Sequence, residues 1–196
     1  MDGLAEAIDI LTKGGIVIFP TDTAFGIGCR IDDVDAVKRL FTIRRRAETK
    51  AVPVLVSSLH MAERYVKEVP QTVIEKLITP YWPGALTIVL QSRAKKVPSL
   101  VRGGGDSIGL RVPDHWTALA LINGVGVPLV GTSANFAGEA TPYTFESLDE
   151  ELKGLVDFVV PGECQTKKAS TVIDCTVKPW KILRQGAVEI ELGIEN

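Results

Sequence analysis

Apolar residues along the chain recur in two patterns, a helical spacing and short continuous runs. Leu4, Ile8 and Leu11 follow the helical spacing and predict an amphipathic first helix. The next run, residues 16–19, is wholly apolar and rich in β-branched side chains, and Pro20 ends it. Such a run predicts a strand that is buried on both faces.

The same two patterns predict the rest of the secondary structure. Further strands are expected over 52–56, 86–90, 108–112, 127–130, 158–160, 171–173 and 182–183. Helices are expected over 34–41 with Asp32 or Asp33 as N-cap, after Ser58, over 70–78, 114–123 and 145–152. The order predicts a twisted, open, mixed α/β sheet with flanking helices. We expect this sheet to be rich in parallel pairs, with an antiparallel C-terminal third.

Length, composition and charge narrow the class of protein. With 196 residues, 45% of them hydrophobic and 23% charged, the chain predicts one globular domain over 1–196. A formal net charge of −2 argues against a surface coated in nucleic-acid-binding charge. Cys29, Cys164 and Cys175 lack C-x-x-C spacing, which favours a reducing, cytoplasmic location. No apolar run approaches the ~20 residues that cross a bilayer, so no membrane association is expected.

The familiar chemical signatures are missing from the sequence. Gly103, Gly104 and Gly105 are not followed by the Gly-Lys-Ser/Thr of a Walker loop, and neither G-x-G-x-x-G nor G-x-S-x-G occurs in a suitable context. His60 and His115 have no partner at metal-ligand spacing, so no resident metal site is predicted.

Polar residues instead cluster at the predicted strand ends, where ligands bind in open α/β sheets. The clusters are Pro20 to Thr23, Arg44 to Arg46 with Lys50, Ser107 to Pro113, Gly131 to Asn135, and Ser170 with Arg184. Turn formation explains the first cluster when it is taken alone, and a solvated charge run is the usual explanation of the second. Arg111 lies inside an apolar strand and needs a partner, which is either a structural carboxylate or a ligand anion.

Taken in order, these clusters resemble the YrdC/Sua5 family over nearly the whole chain. The matching motifs are Pro20-Thr21-Asp22-Thr23, Arg44-x-Arg46 with Lys50, Ser107-x-x-x-Arg111-x-Pro113, Thr132-Ser133-Ala134-Asn135, Ser170-Thr171-Val172 and Arg184-x-Gly186. The resemblance implies a YrdC/RibB-like fold with a cationic cavity. It also implies a short, YrdC-type member without the C-terminal domain of Sua5-type proteins.

The family resemblance implies L-threonylcarbamoyladenylate synthase activity, a nucleotidyl transfer. L-Threonine, bicarbonate and ATP, with Mg²⁺ accompanying the ATP, would give threonylcarbamoyl-AMP for the t6A modification of tRNA. Downstream threonylcarbamoyl transferase proteins and tRNA itself are the implied partners. By analogy Thr23, Arg111 and Ser170 bind threonine and its carbamate, and the implied catalytic residues are Arg44, Arg46 and Lys50. The ATP-binding set by analogy is Arg46, Lys50, Ser107, Ser133, Asn135, Tyr143 and Arg184.

Two departures from the family pattern leave other hypotheses open. Arg44 replaces the usual lysine, so a planar fork stands where a point charge is expected, and Leu55 stands where many members have histidine. The first alternative is a diverged paralogue that binds tRNA or double-stranded RNA in the cavity. Its RNA binding would weaken steeply as the salt concentration rises. Carbamoyl transfer of the hydrogenase-maturation kind is the second alternative.

Overall fold

The computed structural model describes residues 2–191, and its strands form a nine-stranded sheet. The order across the sheet is β7-β1-β2-β6-β3-β5-β4-β8-β9. The strands are β1 (Val17–Phe19), β2 (Gly26–Arg30), β3 (Val54–Leu55), β4 (Leu86–Gln91), β5 (Ser107–Arg111), β6 (Leu129–Ser133), β7 (Phe158–Val159), β8 (Thr171–Asp174) and β9 (Lys181–Arg184). The predicted fold class, a mixed open α/β sheet with flanking helices, is confirmed.

Several helices begin where the sequence supplies a side-chain cap. The helices are α1 (Asp2–Thr12), α2 (Val34–Ile43), α3 (Leu59–Glu63), α4 (Gln71–Val73), which continues through a π-helical segment (Ile74–Ile78) into α5 (Thr79–Tyr81), α6 (Trp116–Val125) and α7 (Glu150–Leu155). Asp33 caps α2 by accepting from the amides of Asp35 and Ala36, and Ser58 caps α3. No helix among the described residues is long and apolar enough to span a membrane.

The expectation of a parallel-rich sheet is wrong. Only the pairs β1–β7, β3–β5 and β4–β8 are parallel, whereas β1–β2, β2–β6, β3–β6, β4–β5 and β8–β9 are antiparallel. The sequence pattern missed β2, because Gly26 and Gly28 interrupt its apolar residues and glycine is a poor strand former. The antiparallel expectation for the C-terminal third holds for β8–β9 only, since β7 and β8 pair in parallel with distant strands.

Three element boundaries also differ from the prediction. The helix expected over 145–152 is a short 3-10 turn (Phe145–Ser147) followed by α7. The helix expected over 114–123 is α6, and it ends at Val125 because Gly126 adopts a left-handed conformation with φ 78°. The strand expected over 127–130 starts later and includes polar residues, as Thr132 and Ser133 pair with Ile27 and Gly26 of β2.

One part of the sheet carries few side chains, and this positions the site. Gly26 of β2 pairs with Ser133 of β6, and Gly28 pairs with Gly131. Gly26, Gly131 and Ser133 all line a cavity at this place. The absence of larger side chains leaves room for a ligand to approach the strands.

Candidate active site

A cavity of about 190 Å³ lies over this part of the sheet and reaches β5 and β9. Its lining residues come from the strand ends and the loops that follow them. They are Thr21, Thr23, Ala24, Phe25, Gly26, Arg46, Pro53, Leu55, Arg111, Gly131, Thr132, Ser133, Thr141, Ala169, Ser170 and Arg184. The strand ends that the sequence singled out are therefore brought together.

Arg111, the last residue of β5, donates three side-chain hydrogen bonds at the cavity. The side chain is buried, and its Nη2 donates to the buried carboxylate of Asp22. Its Nη1 donates to Thr23 Oγ1 at 2.8 Å and its Nε donates to the carbonyl of Gly84 at 3.0 Å. Asp22 is thus the structural carboxylate that the sequence left as one of two alternatives. The pair ties the loop after β1 to β5, two segments far apart in the sequence.

The loop after β1 is held by its own hydroxyl groups. Thr21 Oγ1 donates to the carbonyl of Ala24 at 2.7 Å and accepts from the amides of Thr23 and Ala24, each at 3.2 Å. Thr23 Oγ1 lies 3.0 Å from Thr21 Oγ1. These bonds fix the Thr23 hydroxyl beside Arg111, so the loop is more than the simple turn that explains its residue types.

Ser170 and Arg184 form another part of the cavity lining. Arg184 donates from Nη2 to Ser170 Oγ at 3.0 Å and from Nε to the carbonyl of Ser170 at 2.9 Å. Ser170 Oγ also lies 3.0 Å from Thr87 Oγ1. Gly186 permits this approach, because a Cβ there would stand 2.3 Å from the carbonyl oxygen of Ala169.

Arg46 occupies the segment between α2 and β3. Its Nη2 donates to the carbonyl of Ala51 at 2.7 Å and its Nε donates to the carbonyl of Lys50 at 3.2 Å. The guanidinium is half-buried and lines the cavity. Carbonyl acceptors orient the fork without neutralising its charge.

The cavity lining holds three guanidinium groups, those of Arg46, Arg111 and Arg184. Burial lowers the pKa of each below the ordinary arginine value. For Arg111 the neighbouring Asp22 works in the opposite direction and raises the pKa. Arginine stays protonated at neutral pH in proteins, so all three carry charge. No carboxylate is among the residues that line this cavity within the described range.

Leu55 forms an apolar part of the lining, where the family resemblance predicts histidine in many members. Its side chain covers Gly131 so closely that a Cβ on Gly131 would stand 2.6 Å from Leu55 Cγ. Pro53 and Phe25 lie on the same cavity. Any ligand group that meets this wall contacts hydrocarbon rather than an imidazole.

The structure brings together six of the eleven residues that sequence reasoning selected. Thr23, Arg46, Arg111, Ser133, Ser170 and Arg184 line the cavity, whereas Arg44, Lys50, Ser107, Asn135 and Tyr143 are not among its lining residues. The roles assigned to both groups by the resemblance stay predictions.

Arg44 and Asn135 contact each other beneath the lining. Arg44 is 3% exposed and donates to the carbonyl of Asn135 at 3.0 Å and to Thr132 Oγ1 at 2.7 Å. Asn135 Nδ2 donates to the carbonyls of Phe136 and Glu139. Both side chains therefore hold the loop that follows β6.

Lys50, Ser107 and Tyr143 have other surroundings. Lys50 is exposed, and its backbone carbonyl accepts a hydrogen bond from Arg46 Nε. Ser107 begins β5, paired with Gln91. Tyr143 lines a second cavity of about 280 Å³, together with Cys164 and Lys167.

Sequence reasoning missed several lining residues. Phe25, Pro53 and Thr141 have no distinctive local pattern, and they reach the cavity only through nonlocal pairing, such as the bond from the Phe25 amide to the carbonyl of Pro142. Asp22 is visible in the Thr-Asp-Thr sequence, and Arg111 inside an apolar strand was the signal that a partner, either a carboxylate or a ligand anion, was needed.

A family model described as "Sua5_yciO_yrdC: Telomere recombination" matches residues 9–186. The chain belongs to this YrdC/Sua5 family. A threonylcarbamoyl-AMP synthase of Vibrio parahaemolyticus is 32% identical over 95% of this chain and 100% of the relative's length. A threonylcarbamoyl-AMP synthase of Pyrococcus abyssi is 34% identical over 94% of this chain, but only 54% of that relative is covered.

Solved structures agree with the family assignment. The crystal structure of P. abyssi Sua5 complexed with L-threonine superposes with a TM-score of 0.88 at 34% identity. The match covers 93% of this chain and 54% of the Sua5 chain. The YrdC/Sua5 chain described here thus spans about half the length of some of its relatives and the full length of another.

Proposed function

We propose that this protein is a threonylcarbamoyl-AMP synthase that uses L-threonine, bicarbonate and ATP. The observation that carries the proposal is a single cavity lined by three guanidinium groups. One of them, that of Arg111, is held in place by Thr23 and Asp22. Thr23, Arg111 and Ser170 lie on that cavity together with Arg46 and Arg184. Relatives named for this activity, one of them described with bound L-threonine, support the proposal.

The amino-acid substrate fits the Arg111 side of the cavity. Three of the five N–H groups of Arg111 are engaged by Gly84, Thr23 and Asp22. The fork is therefore held in one orientation, and it can offer its remaining N–H groups to a carboxylate. In the proposal, Arg111 binds the threonine carboxylate or its carbamate, and the hydroxyls of Thr23 and Ser170 position it.

The nucleotide fits the side formed by Arg46, Ser133 and Arg184. The threonine nitrogen attacks bicarbonate to give a carbamate and water. A carbamate oxygen then attacks the α-phosphorus of ATP, and pyrophosphate leaves. This step asks the protein for positioning and for cationic stabilisation rather than for a covalent nucleophile. Mg²⁺ enters with the ATP as part of the substrate.

The proposal extends to the setting of the reaction. The product would pass to threonylcarbamoyl transferase proteins that modify tRNA, and the cytoplasm is the proposed compartment, in agreement with free thiols at Cys29, Cys164 and Cys175. The names of the relatives favour the synthase over an RNA-binding paralogue. Carbamoyl transfer of the hydrogenase-maturation kind has no specific observation here in its favour.

Pyrophosphate release by the wild-type chain and by Arg46→Ala tests the proposal. Loss of one charged hydrogen-bond donor costs about 1.5–3 kcal/mol, so Arg46→Ala should lower kcat/KM roughly tenfold to a hundredfold. Arg39→Ala is the matched control, because Arg39 bonds to Asp157 and is not among the cavity-lining residues. Equal rates in wild type and Arg46→Ala would show that Arg46 has no part in the reaction. Pyrophosphate release that does not depend on threonine and bicarbonate would contradict the proposed function.

A further inference from the structure

Three consecutive arginines at the end of α2 reach three different parts of the molecule. Arg44 goes inward to the loop after β6, whereas Arg46 lines the cavity. Arg45 adopts a positive φ of 52°, and its guanidinium lies 4.0 Å from the centre of the Phe136 ring and pairs with Glu151. The left-handed residue between Arg44 and Arg46 turns their side chains into different environments.

Arg44 is a buried cation whose recorded partners are neutral oxygens. Its Nη1 lies 2.7 Å from Thr132 Oγ1, its Nε lies 3.0 Å from the Asn135 carbonyl, and its Nη2 lies 3.4 Å from Asn135 Oδ1. Within residues 2–191 it forms no ion pair. Burial, followed by the nearby charge of Arg46, lowers the pKa of Arg44 to about 10. Burying a charge without a carboxylate partner costs stability. We therefore look for the benefit of Arg44 in the loop that its guanidinium group holds in place.

The loop held by Arg44 is a wall of the cavity. Thr132, Ser133 and Thr141 line the cavity. The Ala134 amide donates to the carbonyl of Phe25 at 2.9 Å, and the Ala137 amide donates to the carbonyl of Arg44 itself at 2.9 Å. Arg44 thus connects this wall to the end of α2, two residues before Arg46.

We infer that Arg44 is a positioning residue, which sets Ser133 and its loop relative to Arg46 and does not itself touch the substrate. The inference deepens the proposed function, because it rests on ATP lying between these two walls. In this inference Arg44 has a positioning role instead of the catalytic role that the family resemblance implies. The Arg44 guanidinium donates to protein oxygens from Nε, Nη1 and Nη2.

Hydrogen exchange without any ligand tests the positioning role independently of turnover. The variants are Arg44→Gln, which removes the fork and the charge, and Arg44→Lys, which keeps the charge but cannot reproduce the fork. Arg39→Gln, on the same helix, is the matched control. We expect the amides of Ala134 and Ala137 to exchange about tenfold faster or more in Arg44→Gln, with Arg44→Lys in between and the control unchanged.

ATP affinity by calorimetry and steady-state kinetics complete the test. A positioning role predicts that Arg44→Gln weakens ATP binding and raises KM for ATP by about tenfold, while kcat changes less than about threefold. Wild-type exchange rates in Arg44→Gln, or a loss of kcat at unchanged KM, would overturn the inference. Failure of the wild-type chain to bind ATP would refute the proposed function, and the exchange rates would still decide whether Arg44 positions the loop.

Discussion

Two arginine–aspartate pairs join distant parts of this chain, and their surroundings differ. Arg111 and Asp22 meet beside the cavity with side chains 7% and 4% exposed. Arg39 of α2 and Asp157, just before β7, meet with side chains 45% and 33% exposed. The same two residue types thus form a desolvated pair at the candidate site and a hydrated pair away from it. Burial determines how much each pair matters.

The largest effect should come from breaking the buried pair at its acid. Asp22→Ala leaves the Arg111 guanidinium buried without a counter-charge, which should lower the free energy of unfolding by about 3–5 kcal/mol. Denaturant titration of Asp22→Ala measures this loss, with Asp157→Ala as the exposed counterpart. Equal losses in the two variants would show that burial does not distinguish the pairs.

The next largest effect should come from changing the shape of the Arg111 side chain while its charge is kept. Arg111→Lys keeps the charge but cannot donate at once to Gly84, Thr23 and Asp22, as Arg111 does. We expect kcat/KM for pyrophosphate release to fall roughly tenfold to a hundredfold, in keeping with about 1.5–3 kcal/mol of lost interaction. Arg39→Lys should leave the rate unchanged. Full activity of Arg111→Lys would mean that charge alone suffices there.

A smaller effect is expected from the exposed pair. Arg39→Gln should reduce the free energy of unfolding by about 0.2–1 kcal/mol at low salt and by less at high salt, because solvent and ions screen the pair. Unfolding titrations at two ionic strengths measure the difference. A loss that is independent of salt would indicate that Arg39 contributes through packing rather than charge.

The smallest effect is a pH dependence of the same pair. The hydrogen bond from Arg39 is the main cause that lowers the pKa of Asp157 below its ordinary value. A carboxyl with a lowered folded-state pKa stabilises the fold above its unfolded pKa, about 3.9, and this contribution is lost as pH falls through the folded value. The stability difference between wild type and Arg39→Gln should therefore shrink below about pH 4. A difference at pH 2 as large as that at pH 7 would contradict this expectation.

The sequence predicted the strand-end clusters but could not predict how they meet. Arg111 inside an apolar strand showed that a partner was required, yet Asp22 is 89 positions away and reaches it only because β1 and β5 belong to one sheet. The three arginines 44–46 have the same side chain, and the backbone conformation of Arg45 separates their environments. Local pattern predicts neither nonlocal pairing nor a single left-handed residue.

Strand β2 shows the same limit in the fold. Its two glycines, Gly26 and Gly28, weaken the apolar pattern by which a strand is recognised. They pair with Ser133 and Gly131 of β6. Features that open space for a ligand therefore weaken the local signal from which a strand is predicted. Helices α2 and α3, whose caps Asp33 and Ser58 are local, were predicted more closely.

The proposed function requires that the carbon of bicarbonate, threonine and the adenylyl group of ATP are joined in one product. Its most direct test is incubation of the wild-type chain with ¹³C-bicarbonate, L-threonine, ATP and Mg²⁺, followed by mass spectrometry of the nucleotide products. The account predicts threonylcarbamoyl-AMP that carries one ¹³C atom, is formed with pyrophosphate, and disappears when threonine is omitted. ATP consumption without a labelled adenylate, or an adenylate formed without threonine, would contradict it.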